Sequence, residues 1–97
     1  MSVIEGVLKE EYNRLLKMEK FYSSEINKFP KGSVLRRKIG GGIYYYIKLR
    51  DHGMVKSIYI SEGKAKEMIP QIKERRRLRD ILKSVRNDIK VLKKVIK

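Results

Sequence analysis

Ninety-seven residues with a formal net charge of +14 allow one small domain with a modest core. Cysteine is absent, which excludes a disulfide framework and a thiolate metal site. No apolar run approaches the ~18–20 residues that cross a bilayer, and the start Met-Ser-Val-Ile-Glu-Gly lacks a signal-peptide pattern, so a cytoplasmic protein with no membrane partner is expected.

The charge is unevenly placed. The first thirty residues carry five basic and five acidic side chains, residues 31–60 seven and one, and residues 61–97 thirteen and five. A field this one-sided attracts polyanions and raises their encounter rate.

Residues 3–29 read as one long amphipathic helix. Ile4, Leu8, Tyr12, Leu15, Met18, Tyr22, Ile26 and Phe29 follow one another at steps of three and four, which makes a single helical stripe. Leu8, Leu15, Tyr22 and Phe29 recur at seven, as in a coiled-coil seam. Glu5–Lys9 and Glu10–Arg14 are expected as i,i+4 ion pairs. Pro30 and Gly32 close the helix.

Residues 33–60 change period. Ser33–Ile39, Ile43–Arg50 and Met54–Ile60 are short and rich in β-branched and aromatic residues, separated by the glycine-containing gaps 40–42 and 51–53. They predict a three-stranded antiparallel meander. In the central strand Ile43, Tyr45, Ile47 and Leu49 share one face, and Tyr44, Tyr46, Lys48 and Arg50 the other. Pairing Ile39 with Ile43 sets Leu35 opposite Ile47 and brings Arg36 and Lys38 to the face of Tyr46 and Tyr44. The third strand stays open. An odd loop turns Val55, Ser57 and Tyr59 to the apolar face, and an even loop turns Ile58 and Ile60 there.

Residues 62–97 return to helix, with Ser61 as N-cap and Pro70 expected to break or kink it. Beyond Pro70, Leu78, Leu82, Val85, Ile89, Leu92 and Ile96 keep an uninterrupted 3.5-residue repeat. Packing the two stripes antiparallel buries both. The expected fold is therefore α+β, in the order α-β-β-β-α, one domain over 1–97. Its helices form an antiparallel coiled-coil hairpin, a two-helix stalk with an α/β head. Segment 62–69, with Ala65, Met68 and Ile69, is expected to cover the apolar sheet face.

Two constellations point to a polyanion. Arg36, Lys38, Tyr44, Tyr46, Lys48 and Arg50 make a basic, aromatic sheet face. Such a face can lie in a major groove or stack unpaired bases; the alternative is a plain solvated face. Arg75, Arg76, Arg77 and Arg79 can clamp a phosphate backbone or simply solvate a helix. Other motifs carry no chemistry. Gly40-Gly41-Gly42 has no following Gly-Lys-Ser/Thr and reads as a hairpin turn. His52 is the one histidine and reads as a solvated turn residue, so no metal site, cofactor or catalytic set is expected.

Pro30-Lys31-Gly32-Ser33, Arg36-Arg37-Lys38-Ile39, Tyr44-Tyr45-Tyr46-Ile47 and Val55-Lys56-Ser57-Ile58-Tyr59 resemble a family of small prokaryotic proteins. That family has a "PKGS"-type start and a tyrosine-rich strand between helices, and it implies a layout rather than an activity. The strand–Gly–strand–Gly–strand–helix order is also similar to the amino-terminal arm-type DNA-binding domains of tyrosine recombinases (integrases) and to plant AP2-type domains. These read DNA with the outer face of a three-stranded sheet, and the matching positions are Arg36, Lys38, Tyr44, Tyr46, Lys48 and Arg50. They lack the long first helix and the long trailing coiled coil present here.

The sequence thus leads to a non-enzymatic nucleic-acid-binding protein. Duplex DNA would be held by that sheet face, with Arg75, Arg76, Arg77 and Arg79 on its phosphates. The second reading is a coiled-coil structural or adaptor protein that forms a homodimer or meets a protein partner through its helices.

Overall fold

The computed structural model describes residues 2–96; Met1 and Lys97, the outer ends of the expected 1–97 domain, lie outside them. The element order is α1 (Val3–Ile26), β1 (Ser33–Ile39), β2 (Gly42–Asp51), β3 (Met54–Ile60) and α2 (Glu62–Val95). This is the α-β-β-β-α order read from the sequence, and the fold is α+β. The chain forms two compact units, Phe29–Arg76 and the pair of segments that flank it.

In the flanking unit, α1 packs antiparallel to the C-terminal part of α2. Glu5, Leu8 and Lys9 line one shallow pocket with Val95 and Ile96, and Arg86 Nε donates to Glu19 Oε2 at 3.2 Å. Leu15, Ile26, Leu78, Leu82 and Val85 are its buried residues. They come from the two stripes, so the 3.5-residue repeat marks the seam. Ile4, expected in that stripe, is exposed. Residue numbers facing each other across the seam add to about 105, as for Glu19 and Arg86. That places Ile4 past the end of α2 at Val95.

Ser2 starts α1 by accepting the Glu5 amide at 3.2 Å, an N-cap contact at the spacing of a capping box. α1 ends earlier than expected. Asn27 donates back to the Ser24 carbonyl, and Phe29, expected as a heptad position, lies beyond the helix. The residue before a proline is disfavoured in α geometry, so Pro30 forces the exit. Arg14 pairs with Glu11 rather than with Glu10. Its guanidinium spans Glu11 and Met18, both half-buried beside the seam, and so turns away from Glu10.

In the unit Phe29–Arg76, the sheet order is β1-β2-β3, antiparallel throughout. Two turns set its register, and both are shorter than the expected three-residue gaps. Gly40-Gly41 and His52-Gly53 are the turn residues, and Gly42 and Asp51 belong to the strands. His52 and Gly53 both have positive φ (50° and 80°), the signature of a type I′ turn; Gly40 alone does so in the first (62°), as in type II′. The register is Ile39↔Gly42, Lys38↔Ile43, Arg36↔Tyr45 and Val34↔Ile47. It differs by one residue from the expected Ile39–Ile43 pairing, so β1 presents the opposite faces. In β3 the even loop holds: Ile58 faces Ile47 and Ile60 faces Tyr45.

The buried residues of this unit are Ile47, Ala65 and Ile72. Ala65, in the segment expected to cover the apolar face, is fully buried, and Met68 and Ile69 are half-buried. Gly32 has φ +107°, and a Cβ there would lie 2.8 Å from both Leu49 Cδ2 and the Lys48 carbonyl. Only glycine fits both constraints, so the linker can press onto the Ile47–Leu49 side. Arg75 ties α2 to the same linker by donating to the Phe29 carbonyl at 2.9 Å. Ser61 caps α2 through its hydroxyl on the Lys64 amide. The helix then runs unbroken through Pro70, so of the two expectations, a break or a kink, the break is absent; Pro70 is exposed, where water can satisfy the carbonyl that loses its donor.

Candidate nucleic acid interface

Directly opposed residues of antiparallel strands share a face, so the register decides which side chains meet. The Tyr44 face of the sheet gathers Arg37 from β1, Tyr44, Tyr46, Lys48 and Arg50 from β2, and Tyr59 from β3. The ring contacts agree. The Tyr59 ring lies 5.9 Å from Tyr46, edge to face, and 6.3 Å from Tyr44. The Arg37 guanidinium sits 5.8 Å above the Tyr46 ring, a cation–π arrangement that orients the fork while leaving its N–H edges open.

Arg36 and Lys38 do not belong to this face. They lie opposite Tyr45 and Ile43, on the side that carries Ile47. Arg37 and Tyr59 take their place in the cluster. β1 reads Ser-Val-Leu-Arg-Arg-Lys-Ile, with paired apolar and tripled basic residues, and so carries no alternation from which to choose a register. The usable signal was turn chemistry: two-residue turns are the commonest hairpin connections.

Tyr44, Tyr59, Arg37, Lys48 and Arg50 are exposed, and Tyr46 is half-buried beneath its neighbours. Among the described residues no acidic one occupies this face. Asp51 is on the other side, where it pairs with Lys56 at 3.3 Å and approaches His52 at 3.4 Å. From Tyr44 to Arg50 the face runs about 20 Å at ~3.3 Å per residue. It offers phenolic hydroxyls and fixed cations, donors for phosphate and base edges.

The four arginines of α2 are not equivalent. Arg75 is half-buried and engaged by the Phe29 carbonyl. Arg77 also has an interaction partner. Arg76 and Arg79 are exposed. Among the described residues no group of three His, Cys, Asp or Glu side chains is arranged to hold a metal ion. No helix among them is long and apolar enough to cross a membrane. Compared with known proteins, the chain matches no family model, no curated protein and no solved structure.

Proposed function

We propose that this protein binds nucleic acid without catalysing a reaction, with duplex DNA docking on the Tyr44 face of the sheet. One observation carries the reading: three exposed basic side chains and three clustered tyrosines share a face that holds no acid among the described residues. The tyrosine rings pack on one another and under Arg37. That favours a preformed donor surface for a groove and its phosphates over separate slots for unpaired bases. The outward Arg76 and Arg79 add to the same attraction. Arg75 acts as the anchor of the linker. The likeness in strand order to sheet-reading DNA-binding domains supports the reading as analogy.

Fluorescence anisotropy with a labelled duplex, followed from low salt past physiological salt, tests it, with single-stranded DNA and RNA of equal length alongside. Duplex binding should persist at physiological salt and exceed that of single strands. Lys48→Ala with Arg50→Ala should flatten the salt dependence by about 0.9 in slope for each phosphate no longer neutralised. An unchanged slope would remove the sheet face from the interface.

A second reading has its own observation. Val3, Ile4 and Val7 of α1 and Val91 and Val95 of α2 are exposed large apolar residues near one end of the helix pair. They suit association with a second copy or a protein partner, which sedimentation at several concentrations would detect.

A further inference from the structure

The C-terminal part of α2 carries a second pattern besides its apolar stripe. Arg79, Lys83, Arg86, Lys90 and Lys93 follow at steps of 4, 3, 4 and 3, the same 3.5-residue repeat as the buried Leu78, Leu82 and Val85. At 100° per residue these five fall within an arc of roughly 80° on one side of the helix. All five are exposed. The acidic residues of this stretch, Asp80 and Asp88, lie about 100° and 180° round from the middle of that arc. Glu19 of α1 is the one carboxylate among the described residues that pairs with the row, at Arg86. A shallow, open depression along the helix is lined by Lys83, Arg86, Lys90 and Lys93 from the row, and by Asp88 as its one acidic residue.

An ordinary solvated helix face mixes signs, because alternating charges support one another at i,i+4. Here successive cations at i,i+3 and i,i+4 repel, so the row weakens the isolated helix. Its geometry suits a linear polyanion. The rungs repeat every ~5 Å and span ~21 Å at 1.5 Å rise per residue. A duplex carries one negative charge per ~1.7 Å of axis, so the whole row can be neutralised by one stretch of it.

We infer that this row is a second nucleic-acid contact, a phosphate-backbone ladder acting without base readout. The inference rests on the nucleic-acid reading given above and adds a surface to it. The row supplies uniform affinity that does not depend on base sequence.

The test compares three proteins by anisotropy on one duplex across salt: the wild type, a ladder variant (Lys83→Gln, Lys90→Gln, Lys93→Gln) and a sheet variant (Lys48→Ala, Arg50→Ala). Circular dichroism checks that each remains folded. The ladder variant should lose about 2.7 in salt slope, so that raising salt from 50 to 200 mM weakens the wild type roughly 40-fold more than the variant. An unchanged slope in the ladder variant with a reduced one in the sheet variant overturns the ladder and leaves the sheet reading intact. The reverse pattern upholds the ladder and removes the sheet. A wild type that does not bind duplex overturns both. Polyglutamate that binds the wild type more tightly than the duplex at equal charge concentration, and loses that advantage in the ladder variant, also overturns the ladder, since the row then serves an acidic protein surface.

Discussion

The two long helices share one seam and differ on their outer sides. In α1 charges of both signs are interspersed; Arg14 pairs with Glu11 on the helix itself, and Lys28, just beyond its end, pairs with Glu25. In α2 from Arg77 to Val95 there are seven basic residues and two acidic ones. Both helices feed the same buried line, Leu15 and Ile26 from one and Leu78, Leu82 and Val85 from the other. Packing therefore requires the apolar stripe and leaves the outward charge free. A one-sign row on α2 is not a by-product of folding, because its partner folds against the same seam without one.

The largest expected effect is at the shared seam. Leu15→Ala and Leu82→Ala, each at a buried position, should each lower stability by about 2–4 kcal/mol in urea unfolding. A near-neutral result at either site would mean that the two stripes do not pack as one core.

The outer sides come next. Neutralising Lys9, Lys17 and Lys20 of α1 to Gln should leave the duplex salt slope unchanged, in contrast to the three-lysine change on α2. Stability should move by no more than about 0.5 kcal/mol. Equal slope losses from both triple variants would show that net charge alone governs binding.

Glu19→Gln is a smaller and sharper change. It breaks the exposed pair with Arg86, worth about 0.2–1 kcal/mol, and releases Arg86 to phosphate. Thermal unfolding should show a slight loss of stability, while the duplex salt slope should steepen by up to about 0.9.

The smallest expected effect is in acid. The hydrogen bond from Arg14 holds the Glu11 carboxyl below the usual glutamate range, and the same bond raises Arg14. A depressed carboxylate stabilises the fold above its unfolded pKa, and that contribution is lost as pH falls through the lowered value. Melting curves from about pH 6 to about pH 3 should therefore decline slightly less steeply for Glu11→Gln than for wild type.

Much of the fold was legible because its periods are clean. Steps of three and four marked both helices, and the alternation in β2 marked its two faces. The register of β1 was not legible. Val34-Leu35 and Arg36-Arg37-Lys38 place like residues side by side, so a one-residue slip leaves the pattern nearly unchanged. Gly42 then decided the matter by joining β2 instead of the turn. Pro70 left a break and a kink both open in the sequence, and α2 is not broken there, since an exposed proline can remain in a helix when water reaches the orphaned carbonyl. Among the candidate residues, Tyr44, Tyr46, Lys48 and Arg50 share a face as expected, whereas Arg36 and Lys38 are on the other side. The ladder is masked by the dense basic run Lys73–Arg79 that overlaps its first member, because its other cations are spread out and show only as a period.

The most direct test of the sheet face uses that register. Arg36 and Arg37 are adjacent in sequence, identical in charge and on opposite faces. Arg36→Ala and Arg37→Ala should be titrated against the same duplex across salt. Arg37→Ala is expected to weaken binding and lower the slope by about 0.9, with Arg36→Ala close to wild type. Equal losses from the two variants, or a larger one from Arg36→Ala, would contradict docking on the tyrosine face.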